Sequence, residues 1–124
     1  MRAKALLYRL GEETGTGRGL RAILAERRIP ALTVGEAHLG ETVERLVSSN
    51  AAASGAPVPE TVPEEPFLLL CALGDRQLDR LLADLRRAGV SVPCKAILTE
   101  HNRSWTLCKL ITEVSREHRM MKNS

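Results

Sequence analysis

Aromatic side chains are almost absent: Tyr8, Phe67 and Trp105 are the only three in 124 residues. The core must then be built from Leu, Val, Ile and Ala, and single-stranded bases would find little to stack on. Cysteine is also scarce. Cys71, Cys94 and Cys108 are odd in number, widely spaced and without a C-x-x-C pair, which argues against a disulfide framework or a zinc knuckle. No stretch approaches the about 18–20 apolar residues of a membrane span, and Met1-Arg2-Ala3-Lys4 leads into only a short apolar piece. A cytoplasmic, reducing location away from membranes is expected. Charge of one sign is missing as well. The net charge is +3, both signs are interleaved, and such a surface is an ordinary solvated one rather than a phosphate-binding stripe. Nucleic acid is therefore not an expected partner.

What remains is one ordinary domain's worth of chain with typical apolar content. Ala3 to Leu10 reads as a first strand, nearer a sheet edge than its centre because Lys4 and Arg9 interrupt it. Gly11 to Gly19 reads as a flexible loop. Leu20, Ile23 and Leu24 then recur at helical spacing to about Arg28, and Ile29-Pro30 ends that helix. Ala31 to Val34 is a short strand. Gly35 to Ser49 is a second helix, with Leu39, Val43, Leu46 and Val47 on one face.

Residues 50–66, with prolines at 57, 59, 63 and 66, cannot hold a regular ladder of backbone hydrogen bonds and are expected to form a partly disordered linker. Phe67 to Leu73 is continuously apolar, as in a strand buried on both faces. Gly74-Asp75 starts a helix striped by Leu78, Leu81, Leu82 and Leu85, and Gly89 is placed for a left-handed stop. Cys94 to Leu98 reads as a buried strand. Asn102 is then expected to cap a last helix carrying Leu107, Leu110, Ile111 and Val114, with a polar tail over 119–124 that frays.

The order strand, helix, strand, helix occurs twice, in residues 1–49 and again in 67–118. Leu6-Leu7-Tyr8 matches Leu69-Leu70-Cys71 by pattern, and Ala31-Leu32-Thr33 matches Ile97-Leu98-Thr99. The expected fold is α/β: two strand–helix–strand–helix halves forming one mainly parallel four-stranded sheet covered by helices.

The second half carries a specific string, Lys95-Ala96-Ile97-Leu98-Thr99-x-x-Asn102-x-x-Trp105, with Leu73-Gly74 and Leu78-Asp79 before it and Leu110, Glu113 and Glu117-His118 after it. Over about residues 66–118 this resembles an uncharacterised bacterial domain family, a domain of unknown function. Glu100-His101 departs from the small or proline-containing pair that the resemblance implies at that point. The resemblance carries no activity with it.

Ligands of open parallel sheets gather beyond the carboxyl ends of the strands. That places Thr99, Glu100, His101 and Asn102 at one rim, with the Gly15-x-Gly17-x-Gly19 segment on the same edge and Arg18 ready to hold an anion. The glycines lack the Gly-Lys-Ser/Thr ending of a phosphate loop. Asn102 and Thr99 are more simply a cap and a turn. Lys95, inside an apparently buried strand, either has a lowered pKa or, more simply, snorkels or pairs with a carboxylate. A helical wheel centred on Leu107 puts Trp105 about 200° away, off the core stripe, where it either folds back or anchors a partner. Cys94, Glu100, His101 and Cys108 match no metal-ligand spacing, and no nucleophile–base signature occurs. No catalytic residue, metal or cofactor is expected. The expected function is a small non-catalytic interaction or regulatory module, its partner another protein or a second copy. The alternative is a small-anion or nucleotide binder, with or without catalysis, using the strand-end loops.

Overall fold

A computed structural model describes residues 2–52 and 55–122. The chain runs β1 (Lys4–Tyr8), α1 (Gly15–Glu26), β2 (Ala31–Val34), a single 3₁₀ turn (Glu36–His38), α2 (Val43–Ser48), β3 (Phe67–Cys71), α3 (Asp75–Arg87), β4 (Lys95–Ile97) and α4 (Leu107–Lys122). The four strands form one sheet in the order β2-β1-β3-β4.

The sheet is mixed, which corrects the mainly parallel expectation. β1–β2 and β3–β4 are parallel, but the central pair β1–β3 is antiparallel, with Tyr8 opposite Phe67, Leu6 opposite Leu69 and Lys4 opposite Cys71. The linker explains the turnabout. Tyr8 Oη and Arg9 Nε both donate to the Pro63 carbonyl, at 2.7 and 3.1 Å, so the chain enters β3 beside the end of β1 rather than its beginning. β1 is therefore central, not at an edge. Its charged residues do not interrupt it, because Lys4 is its first residue and Arg9 lies past its end. Residues 5–8 between them are all buried.

The two faces of the sheet carry separate cores, as period-two alternation demands. Ala5, Leu7, Leu68 and Leu70 pack with Leu20 and Leu24 of α1 and Leu81 and Leu85 of α3. Leu6, Tyr8, Phe67 and Leu69 pack with Val43, Leu46 and Val47 of α2 and Leu107, Leu110 and Ile111 of α4. β3 is buried along its whole length, as its unbroken apolar run requires.

A pseudo-twofold relation passes through the Leu6–Leu69 pair, and it reaches the far side of the α2/α4 layer. The Val43 N–H donates to the Trp105 carbonyl and the Leu107 N–H to the Glu41 carbonyl, both at 2.9 Å. The Glu44 N–H donates to the Arg103 carbonyl and the Cys108 N–H to the Leu39 carbonyl, at 2.9 and 3.0 Å. Thr42 and Thr106 bridge each other where the two halves meet. The same correspondence sets β2 against β4 with Leu32 facing Leu6 and Ala96 facing Leu69. That register differs from the Leu32–Leu98 match suggested by pattern.

Four further elements differ from expectation. The Gly11–Gly19 segment is not one loop, since α1 begins at Gly15, with Thr14 as cap accepting the Gly17 N–H at 2.9 Å. The second helix is shorter than 35–49, its front being the 3₁₀ turn. The linker has no regular secondary structure over its described residues, yet it is packed: Val62 lies against the α2/α4 core, and Glu65 pairs with Arg119. α4 continues helical to Lys122, past Arg116 where the sequence turns polar.

Candidate functional site

β4 is the second edge strand, and this decides what Lys95 is. Cys94, Ala96 and Leu98 face the α2/α4 core, whereas Lys95 and Ile97 face the other side. There they are exposed, Ile97 at 49%, because two helices cover only the middle of a four-stranded sheet. The buried-strand expectation therefore fails for Lys95. Its ammonium donates to the Val92 carbonyl at 3.2 Å, which is the snorkelling arrangement.

Asn102 does not cap α4. That helix starts at Leu107, and Thr106 supplies the side-chain cap by accepting the Lys109 N–H at 3.1 Å. Asn102, 8% exposed, closes the turn after β4 instead. Its Oδ1 accepts the Thr99 N–H at 2.9 Å and its Nδ2 donates to the Ile97 carbonyl at 3.0 Å. Its own N–H reaches Thr99 Oγ1 at 3.1 Å. Donating to one residue and accepting from the next but one is what a neighbouring parallel strand would do. The carboxamide thus stands in for a fifth strand and blunts the open edge. His38 holds the equivalent place in the first half: its Nδ1 accepts the Gly35 N–H at 3.0 Å, and Nε2 lies 3.0 Å from the Ala51 carbonyl. An Nδ1 that accepts leaves the proton on Nε2, so that contact is a donation.

Thr99 is taken up by this turn. Glu100 is exposed and pairs with Arg103 at 2.9 Å, while Arg103 Nε reaches Glu44 at 3.1 Å. The Glu44 carboxylate, with Glu100 adding to it, raises the Arg103 pKa further above its ordinary value.

Trp105 precedes the helix rather than riding on it, so the wheel reckoning does not apply. It is half-buried and packs partly on the α2/α4 core. His101 meets it edge-on at 5.2 Å between centroids, and the Lys109 ammonium sits 4.5 Å above the ring. Glu41 occupies the equivalent position in the first half, fully buried, its carboxylate 3.0 Å from Arg45. One half thus uses an ion pair where the other places a cation over an indole. The five best-formed cavities among the described residues have no lining residue from 99–105.

Arg18 lies far from this group. Because β1 and β3 are antiparallel, the carboxyl end of β1, where α1 begins, and the carboxyl end of β4 lie at opposite ends of the sheet. The single carboxyl rim expected from a parallel sheet does not exist. Gly17 and Gly19, in the first turns of α1, serve packing. A Cβ on Gly17 would lie 2.1 Å from the Gly11 carbonyl oxygen, and one on Gly19 would lie 2.8 Å from Val90 Cγ2. Sequence reasoning missed the roles of His38 and Glu41. The Gly35-Glu36 and Thr99-Glu100 openings, with a threonine seven residues after each (Thr42, Thr106), were the available signal.

The cysteines are free, and Cys71 and Cys94 are buried. Among the described residues no three His, Cys, Asp or Glu side chains could share a metal. Burial pushes the Cys71 thiol up to about 12, against a smaller opposing pull from Lys4. An acid raised in this way stabilises the fold fully below its ordinary value of 9.0 and loses that contribution as pH rises to about 12. Stability measured by denaturant should fall across that window in the wild type, and less steeply in Cys71→Ala. In the native protein iodoacetamide should modify half-buried Cys108 before Cys71; equal rates would contradict the burial argument.

The geometry defines a three-layered α/β domain, the sheet lying between α1/α3 and α2/α4, whose most distinctive surface group is His101, Trp105 and Lys109. A family model described as a domain of unknown function (DUF3783) matches residues 66–121, the half that contains this group. No curated protein and no solved structure matches the chain. No helix among the described residues is long and apolar enough to cross a membrane.

Proposed function

We propose that the chain is a small non-catalytic interaction or regulatory module of a bacterial cytoplasm, binding another protein or a second copy of itself through the surface around Trp105. The observation that carries this reading is that Trp105 is held half-buried, with its indole in contact with both His101 and Lys109. A large, rigid, amphipathic side chain in that position suits a contact anchor, because its area is bought with little loss of rotamer freedom. The three free cysteines fit a reducing compartment. The alternative reading, a small-anion or nucleotide binder, has less support, since its two groups of residues lie at opposite sheet ends.

Sedimentation and affinity capture compare wild type with Trp105→Ala. The expected result is a complex, with itself or with a captured partner, that the substitution weakens by about tenfold or more. A wild-type chain that stays a lone monomer, or a complex indifferent to Trp105→Ala, contradicts the proposal.

A further inference from the structure

Charge that looks interleaved along the sequence is segregated in space. The segments that build α1, α3 and their flanking loops, residues 9–30 and 74–95, hold ten Lys/Arg against six Asp/Glu, while the rest of the chain holds eight against nine. Pairing follows the same division. On the α2/α4 side Arg45, Arg103, Arg116 and Arg119 each meet a carboxylate. On the α1/α3 side Arg27 meets Asp84 and Arg21 bonds to Leu10 and Thr33. The exposed guanidinium groups of Arg18, Arg28, Arg76, Arg80 and Arg86 have no partner among the described residues, and Arg87 has only a charge interaction with Asp84, which is already paired with Arg27. At about 100° per residue, Arg76, Arg80 and Arg87 lie within about 40° of one another on α3, and Arg86 stands between that stripe and the uncovered edge of the sheet.

Beside Arg86 a groove of about 440 Å³ runs between α3 and β4. Its floor is Leu82, Leu85, Val90 and Val92, and its basic rim is Arg86 and Lys95. The geometry points to a docking site for an acidic peptide segment of a partner protein, one that alternates aliphatic side chains with carboxylates. The aliphatic groups enter the groove, and the carboxylates meet Arg86, Lys95 and the α3 stripe. Arginine is the fitting cation, since its planar fork takes a carboxylate in two parallel hydrogen bonds. A nucleic-acid duplex fits less well. It would present one charge per about 1.7 Å to a face on which Asp75 and Asp79 stand among the arginines, and its backbone has nothing to fill an aliphatic groove.

The proposal rests on the interaction-module reading but names a different surface, so the two can fail separately. The full chain is titrated with three labelled probes: a short peptide alternating Leu and Glu, an oligoglutamate of equal charge, and a short DNA duplex. The Leu/Glu peptide should bind most tightly and lose about tenfold or more with Arg86→Glu/Lys95→Glu. It should bind Arg116→Glu, on the opposite layer, and Trp105→Ala as it binds wild type. Loss of binding in Trp105→Ala alone would move the peptide to the Trp105 surface and overturn the proposal. So would tighter binding of the duplex, equal binding of oligoglutamate, no binding of any probe, or self-association that Arg86→Glu/Lys95→Glu abolishes, which would assign the groove to a second copy.

Discussion

Leu69→Ala should lower the free energy of unfolding by about 2–5 kcal/mol, and Leu6→Ala should cost nearly as much. Both side chains are essentially inaccessible, at 0% and 1% exposure. They face each other across the central antiparallel pair and point into the same core, between α2 and α4. Neither can relax onto solvent, so removing three heavy atoms leaves a void as well as losing transfer free energy. A domain of this size is stable by about 5–15 kcal/mol, so either change removes a large share. Because the two residues touch the same neighbours, the double variant should not show the simple sum. Denaturant midpoints with unchanged slopes measure all three. A cost below about 1 kcal/mol at Leu69 would mean that β3 is not central.

Asn102→Ala is the second large effect. It removes the acceptor for the Thr99 N–H and the donor to the Ile97 carbonyl together, and leaving such groups without partners costs about 1–3 kcal/mol. The pseudo-twofold relation makes a sharper forecast. His38 accepts the Gly35 N–H from the position equivalent to Asn102, so Asn102→His should recover part of the loss. The expected order of stability is wild type, Asn102→His, Asn102→Ala. Trp105 should report the same change, since its backbone N–H donates to the Asn102 carbonyl at 3.1 Å and the turn therefore holds its position. A fully stable Asn102→Ala variant would contradict the edge-closing role.

Much of the secondary structure was legible because strong local signals agreed with the fold. The unbroken Phe67–Leu73 run gave the central strand. The Leu78–Leu85 spacing gave α3, with Gly74 at its start and Gly89, at φ +72°, at its stop. The direction of the second half was not legible. A linker of this length can return the chain to either end of β1, and what decides it is Tyr8 and Arg9 bonding to Pro63, contacts remote in sequence. The helix start at Gly15 was hidden because glycines normally signal a loop, whereas here they admit a backbone approach. At the candidate site, Asn102 was right as a residue that satisfies backbone groups but wrong in which ones. Side-chain mimicry of a strand leaves no periodic trace. The basic face was hidden for a related reason: Arg76, Arg80 and Arg87 are separated by acids along the chain and adjacent only on the helix.

The sole tryptophan is also the residue on which the proposed function turns, so its fluorescence tests the central claim with no substitution. In a complex verified by sedimentation, the emission of Trp105 should shift to shorter wavelength as the partner displaces water from the exposed part of the indole. A verified complex in which the emission of Trp105 and its accessibility to a soluble quencher are unchanged would contradict the account.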